Sequence, residues 1–488
     1  MKIKNLALIS VVALFLVAIL LRFYEFEGFV TFLGDQGRDA TIVKRIVTLE
    51  HFPAIGAPSS VGQVYLGPFY YYLIAPFLLL FNYNPVGLAV AVALLSLVGT
   101  ILAWYVVRKE VNLVVSIVFL GLLSFSAVLI ELSRFSWNPN LLPFFSFFTL
   151  YTCYKWLKTQ DKRWGLAFGS LLAFSIQLHY LGLLLMPALG LAFLYALYVT
   201  KDKLKLVLQT LYPAAALLLF SVPLILFDLR HGFLNSKNFI KLFTEGNVIE
   251  NTSYFTRLGD TSQGFIRHAL QLELEPMLAM VVIFAFALLT YAIYTKTRSK
   301  LLLFLGGSVV LYILGFALLQ SPRHIHYFGP AYVGFYLILS SALMFMKDKT
   351  MQRALGVLIL SGFALLQLPK YYFFTQAPNH QIRHAREIAK TFNSRITKQP
   401  IQMVPIPTTE TDGHYRYFLE IDGYKILAND VPDQAEELYV LCFNETQEPC
   451  KPLDDPQWQI AAFYDKQMAA SWQAKGVRIY KIIHGKTN

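Results

Sequence analysis

The sequence predicts a polytopic α-helical membrane protein. It has about 11 transmembrane helices, interfacial helices in the first outer loop, and a small C-terminal extracytoplasmic α/β domain. Three observations carry this expectation. Apolar runs of about 17 to 22 residues recur along the chain, each long enough to cross about 30 Å of hydrocarbon. Charged residues make up 15% of the chain and hydrophobic ones 56%, whereas soluble domains are about 25% charged. After residue 373 the chain becomes polar and has no further spanning run. The net charge of +12 would suggest nucleic acid in a soluble protein. Here most of it sits in loops that set topology, so nucleic acid is not an expected partner.

Met1 to Leu21 opens with Lys2 and Lys4, runs on as an apolar stretch, and ends in Arg22-Phe23-Tyr24-Glu25. It has no small-residue cleavage site and reads as an uncleaved first span. The apolar segments lie at about 5–22, 69–82, 86–107, 112–131, 141–158, 164–180, 183–199, 206–227, 277–295, 301–319, 327–346 and 353–373. Basic loops (Arg108-Lys109; Lys155 to Arg163; Lys201 to Lys205; Lys296 to Lys300; Lys347 to Arg353) alternate with poorly basic ones (132–140, 181–182, 320–326) from segment 86–107 onward. With Lys2 and Lys4 inside, the loop around Asp35 is outside, and 69–82 cannot cross. That segment is short, carries Pro68 and Pro76, and is dense in tyrosine, as fits a re-entrant or interfacial helix. The expected count is therefore eleven spans in a plasma or inner membrane. The N-terminus is cytoplasmic, and the polar clusters and the tail are extracytoplasmic.

Two domains follow, 1–373 in the membrane and 374–488 outside it. In the tail, 379–395 reads as a surface helix, 400–406, 424–428, 437–443 and 477–483 as strands, and 458–474 as a helix. Cys442 and Cys450 are either a disulfide, which that compartment allows, or two thiols. Cys153 lies in a span and reads as packing. Asn251-Thr252-Ser253 and Asn444-Glu445-Thr446 match glycosylation acceptor patterns.

The first loop, Thr31-Phe32-Leu33-Gly34-Asp35-Gln36-Gly37-Arg38-Asp39, puts two carboxylates and a guanidinium into a stretch with two glycines. If Gln36 to Glu50 is an amphipathic helix on the membrane surface, Asp35 and Asp39 share one face. A carboxylate there can deprotonate a hydroxyl as general base or bind a divalent cation. The plainer reading makes Asp35 a helix N-cap, with Asp39 and Arg38 paired at the surface. In 131–140, Arg134 can contact a phosphate or pair with Asp35, and Trp137 can stack on a sugar or mark the interface. Asn138-Pro139-Asn140 reads as a helix start. His179 ends a span, either as a ligand or as a hydrogen-bonded interface residue. Asp228, Arg230 and His231 open the long loop 228–276. Ser321-Pro322-Arg323-His324-Ile325-His326-Tyr327 concentrates cations against the charge bias, as an anion site would. The bland alternative is an ordinary turn with neutral imidazoles. No Walker-type glycine loop is present, which speaks against an ATP-driven transporter.

These motifs, in this order and on one face, resemble the GT-C superfamily of membrane glycosyltransferases. The branch is that of the dolichyl-phosphate-mannose–protein mannosyltransferases and their bacterial relatives, including the lipid A aminoarabinose transferases. The residues that carry the resemblance are Gly34-Asp35, Gly67-Pro68-Phe69-Tyr70-Tyr71-Tyr72, Arg134 with Asn138, and Arg323, His324 and Tyr327. The family's Asp-Glu pair reads Asp35-Gln36 here, and its second-loop acid reads Asn138. The resemblance implies an inverting transfer from a polyprenyl-phosphate sugar to an acceptor hydroxyl on a protein, glycan or lipid. Asp35 is then catalytic. Arg323, His324, Arg134 and Arg230 bind the donor phosphate, and Asp39, Tyr71, Trp137, Asn138, His179 and Tyr327 contact sugar or acceptor. A divalent cation is a further possibility. Two other classes stay open, a lipid-linked sugar transporter or flippase and a membrane scaffold whose tail binds a partner.

Overall fold

Lys2–Phe23 (α1) runs as one apolar helix until Glu25 takes a left-handed conformation at φ 43°. A single turn, Phe26–Phe29 (α2), leads to Gly34–Val47 (α3). The computed structural model describes all residues except Met1, 60–63, 245–251, 430–434, 444–449 and 486–488. Asn251 and the run 444–446 of the two glycosylation patterns thus lie outside the described residues. Phe69–Leu80 (α4) is twelve residues long and packs on α3. At about 18 Å it is too short to cross, in keeping with the demotion of 69–82 from the spans. Val86–Glu110 (α5) follows.

Leu113–Phe125 (α6) and Ala127–Ser133 (α7) meet at Ser126 with a 57° bend, the geometry of a broken span or of a re-entrant loop. A break inside hydrocarbon exposes backbone groups that need partners. Here the Gln367 side chain accepts from Ala127 N at 2.9 Å, Tyr371 donates to Phe125 O at 2.6 Å, and Ser126 pairs with Tyr336 at 2.9 Å. Next come Leu142–Thr159 (α8), Lys162–Leu178 (α9), Met186–Val199 (α10), Lys203–Gln209 (α11) and Leu211–Arg230 (α12). The long loop 228–276 carries two helices, Leu234–Thr244 (α13) and Tyr254–Leu270 (α14). Pro276–Thr297 (α15), Lys300–Phe316 (α16), Gly329–Ser341 (α17) and Lys349–Gln367 (α18) complete the bundle.

Every segment read as a span is helical. Among the described residues, seven stretches are long and apolar enough to cross a bilayer, eight with the bent pair. Leu142–Thr159, Lys162–Leu178 and Lys300–Phe316 are shorter or more polar. Helix length therefore supports seven or eight crossings, and the count of eleven rests on loop charge alone.

The tail folds as Gln381–Lys390 (α19), Ile401–Ile406 (β1), Gly413–Ile421 (α20), Glu437–Cys442 (β2), the single turn Trp458–Ala461 (α21), Lys466–Ala474 (β3) and Val477–His484 (β4). The sheet order is β1-β2-β4-β3, with β1 and β2 parallel and the other pairs antiparallel. Two expectations are corrected and one element is new. The helix expected over 458–474 is one turn followed by a strand. Lys475 and Gly476 both have positive φ (48° and 84°), the backbone of a tight hairpin turn, and β4 recruits the preceding residues as its partner. The strand expected at 424–428 is a single bridge, Ile401 to Ile426. Helix α20 was not foreseen. Cys442 and Cys450 are disulfide-bonded, with Cα atoms 6.0 Å apart.

One hydrophobic cluster joins the tail to the first loop. It contains Phe32, Ala40, Val43 and Ile46, Tyr70 and Tyr71, and from the tail Ile382, Tyr417, Phe418 and Ile479. Helix α3 therefore does not lie free on a membrane surface. One side packs on α4 and another on α20.

Candidate active site

Helix α3 starts because the Gln36 side chain accepts the Leu33 N–H at 3.1 Å and Gln381 accepts that of Phe32 at 2.8 Å. Asp35 lies in the first turn and is not the N-cap, which is Leu33. Two α3 glycines permit a close crossing. A Cβ on Gly37 would stand 2.3 Å from the Gly413 backbone, and one on Gly34 2.3 Å from Thr411 Oγ1.

Asp39 is fully buried. Its Oδ1 accepts from Tyr71 at 2.9 Å and from Arg38 Nε and Nη2 at 3.0 and 2.8 Å. Burial pushes the Asp39 carboxyl up, and Arg38 and Tyr71 pull it only part of the way back. Burial works against the Arg38 cation, but the charges around it prevail and raise it, Asp39 first and Asp35 after. Arg38 Nη1 donates to Asp35 Oδ1 at 2.8 Å, and the Asp35 side chain is 53% exposed. Tyr71, Asp39 and Arg38 thus form a chain that orients an accessible carboxylate. Asp35 faces a recess of about 400 Å³ between α3 and the tail, lined also by Arg38, Arg45, Thr411, Arg416 and Asn429. Arg45 closes one edge on Glu420 at 2.6 Å. Thr411, Arg416 and Asn429 escaped the sequence reading. Nothing in their pattern marks them, since only the α3–α20 crossing brings them to Asp35.

A second cluster forms where three 3-10 turns meet: Asn138–Leu141, Tyr180–Leu185 and Ile325–Phe328. His326 lies 4.4 Å from the Trp137 ring and 4.4 Å from Tyr327, with His179 5.9 Å and His324 5.8 Å away. His179 Nδ1 accepts from Leu181 N at 3.1 Å, which puts its proton on Nε2. Asn138 donates to Leu178 O at 2.6 Å and is buried, so it tethers the turn. The Tyr70 and Ser136 hydroxyls, 2.7 Å apart, link the two clusters.

The proposed phosphate ligands divide. Arg134 is buried and donates to Leu21 O, Arg22 O and Tyr24 O at 2.7 to 3.0 Å, with its guanidinium 4.3 Å from the Phe373 ring. It closes the end of α1 and makes no ion pair with Asp35. Arg323 donates to Thr261 Oγ1, Ser321 O and Leu319 O and lies over Phe316. It therefore serves its own turn. Arg230 and His324 are exposed. Among the described residues no group of three His, Cys, Asp or Glu is placed to hold a metal. Arg38 occupies the position between Asp35 and Asp39 where a divalent cation would stand, so the pair does not fit one.

The sequence profile of the dolichyl-phosphate-mannose-protein mannosyltransferase family matches residues 66–226. No curated protein matches the chain in sequence. Among solved structures, ArnT from Cupriavidus metallidurans bound to undecaprenyl phosphate superposes with a TM-score of 0.64 at 14% identity, covering 96% of this chain and 97% of ArnT. The archaeal oligosaccharyltransferase AglB from Archaeoglobus fulgidus, in complex with an inhibitory peptide and a dolichol-phosphate, gives 0.55 at 15% identity, covering 98% of this chain and 74% of AglB. The fold is that of a GT-C membrane glycosyltransferase of the mannosyltransferase and ArnT type. The profile match includes Tyr71, Arg134, Trp137, Asn138 and His179. Asp35, Asp39 and the 321–327 turn lie outside it.

Proposed function

We propose that the protein is an inverting glycosyltransferase that moves a sugar from a polyprenyl-phosphate donor to an acceptor hydroxyl, with Asp35 as general base. The observation that carries this reading is the Tyr71–Asp39–Arg38–Asp35 chain, which holds one half-exposed carboxylate at a recess. The lipid phosphates in the ArnT and AglB structures support a lipid-phosphate donor. The loop charges put the reaction on the extracytoplasmic face.

Asp35 takes the acceptor's proton as its oxygen attacks the anomeric carbon. The bond from that carbon to the phosphate oxygen breaks, and the electron pair leaves with the polyprenyl phosphate. Arg134 and Arg323 are engaged elsewhere, so His324 and Arg230 are the phosphate contacts this reading retains. Thr411 and Asn429 face Asp35 across the recess, which gives the tail a part in choosing the acceptor.

Incubating the full chain with radiolabelled polyprenyl-phosphate hexose tests the reading through release of polyprenyl phosphate. Asp35→Asn is expected to lower turnover by about 10²–10⁴-fold with donor binding intact. Full activity of that variant sinks the assignment, and movement of the donor without cleavage makes the protein a transporter.

A further inference from the structure

A second cavity is larger than the recess at Asp35. It lies at the opposite end of the bundle, between the last turn of α8, α10, the end of α15 and the first half of α16, and measures about 1010 Å³. That is at the top of the roughly 300–1,000 Å³ typical of small-molecule sites. Its inner walls are apolar and include Leu157, Leu191, Ala192, Phe304, Gly307 and Leu311. Its mouth carries Lys158, Arg298 and Lys300 among Tyr154, Tyr195 and Tyr294.

We propose that this groove is a binding site for an anionic phospholipid of the adjacent leaflet, its phosphate on Lys158, Arg298 and Lys300 and its acyl chains along α10 and α16. Two independent observations point to this occupant. The first is charge. Among the described residues none of the three cations is ion-paired. Lys158 and Lys300 rest on the rings of Tyr154 and Tyr195 at 5.7 and 5.2 Å. The acid nearby, Glu110, is taken by Lys155 at 3.1 Å and Tyr151 at 2.9 Å. Basic pockets between helices at the membrane surface suit anionic headgroups.

The second observation is depth. From Lys300 to Leu311 the helix rises about 16 Å, and from Ala188 to Thr200 about 18 Å. Either is close to half of the roughly 30 Å hydrocarbon core, so the groove matches the chains of one leaflet. The open space is real at its centre, because a Cβ on Gly307 would meet nothing within 4 Å. The inference does not depend on the transferase reading, since the site is remote from Asp35.

Native mass spectrometry of the full chain, given equal phosphatidylglycerol and phosphatidylcholine, tests it. The wild type is expected to retain phosphatidylglycerol over phosphatidylcholine by at least about fivefold. The triple variant Lys158→Gln, Arg298→Gln, Lys300→Gln should lose that preference, and Gly307→Leu, which puts a side chain into the groove at a position where a Cβ meets nothing within 4 Å, should lose both lipids. Equal retention of the two lipids by the wild type overturns the proposal. So does phosphatidylglycerol retained undiminished by Gly307→Leu, or displaced by an equal concentration of undecaprenyl phosphate, which would give the groove to the donor lipid. If Gly307→Leu does not fold, a triple variant that keeps the preference is equally decisive against it.

Discussion

Arg22 and Arg134 are both buried, and among the described residues neither is paired with a carboxylate. Arg22 donates to Ala18 O at 3.2 Å, Leu123 O at 3.3 Å and Ser96 Oγ at 3.4 Å, while Arg134 holds the last carbonyls of α1. A sequence shows a lone arginine in an outer loop in the same way whether it grips a phosphate or its own backbone. The difference lies in which carbonyls the fold leaves open, here those ending α1 beside the α6–α7 bend. Hydrogen bonds from a charged group contribute about 1.5–3 kcal/mol each, so Arg134→Met should lower thermal stability markedly. The residual folded enzyme should keep its donor KM. A raised donor KM at unchanged melting temperature would return Arg134 to the phosphate site. Asp35 is the converse case. The Gly-Asp motif singles it out as the proposed base, but its orienting chain through Arg38 and Asp39 to Tyr71 needed α4 to be folded against α3.

At the scale of elements, the crossing of α3 and α20 explains the glycines that drew attention to the first loop. Glycine within a helix costs roughly 0.5–1 kcal/mol relative to alanine, so two of them in fourteen residues need a reason. Thr411 and the Gly413 backbone supply it. Gly37→Ala should improve the intrinsic propensity of α3 yet force it off α20, open the Asp35 recess and reduce turnover by about tenfold or more. Faster hydrogen exchange in both helices, with the apolar bundle unaffected, checks the prediction. Exchange and turnover equal to wild type would mean that the crossing relaxes without consequence. The apolar helices, and the shortness of the helix within 69–82, were readable because hydrophobic length is a local signal. Helix α20 and strand β3 were not: α20 is fixed by α3, far away in the chain, and β3 by its hairpin pairing with β4 through the Lys475-Gly476 turn rather than by its own periodicity. For the same reason Thr411, Arg416 and Asn429 could not be assigned to the site.

At the scale of the whole molecule, one hydrophobic cluster runs from α4 and α5 through the first loop into the α/β tail, and acid should open that junction. His414 opens α20 beside Gly37, with the backbone of Arg38 close by and its ring 3.9 Å from that of Tyr415. It is buried, its Nδ1 has no hydrogen-bond partner, and burial lowers it to about 4. An unfolded or undocked histidine titrates near 6.5. The group's folded value lies below the free one, so its contribution to docking is complete above about pH 6.5 and is lost as the pH falls toward 4. Over that window the loss reaches about 3 kcal/mol. Glu437 acts in the same direction at lower pH. Burial would raise it, but Lys481, Thr397 and Tyr439 hold it below the usual carboxylate range, so it stabilises the sheet above about pH 4.3 and stops doing so below. Between pH 7 and 4.5, limited proteolysis should therefore begin to cut between α19 and β1 while the apolar helices stay intact. His414→Phe, which keeps a ring but cannot take a proton, should move that onset to lower pH. An onset unchanged in His414→Phe would mean that the halves are held by other groups and that His414 only fills space.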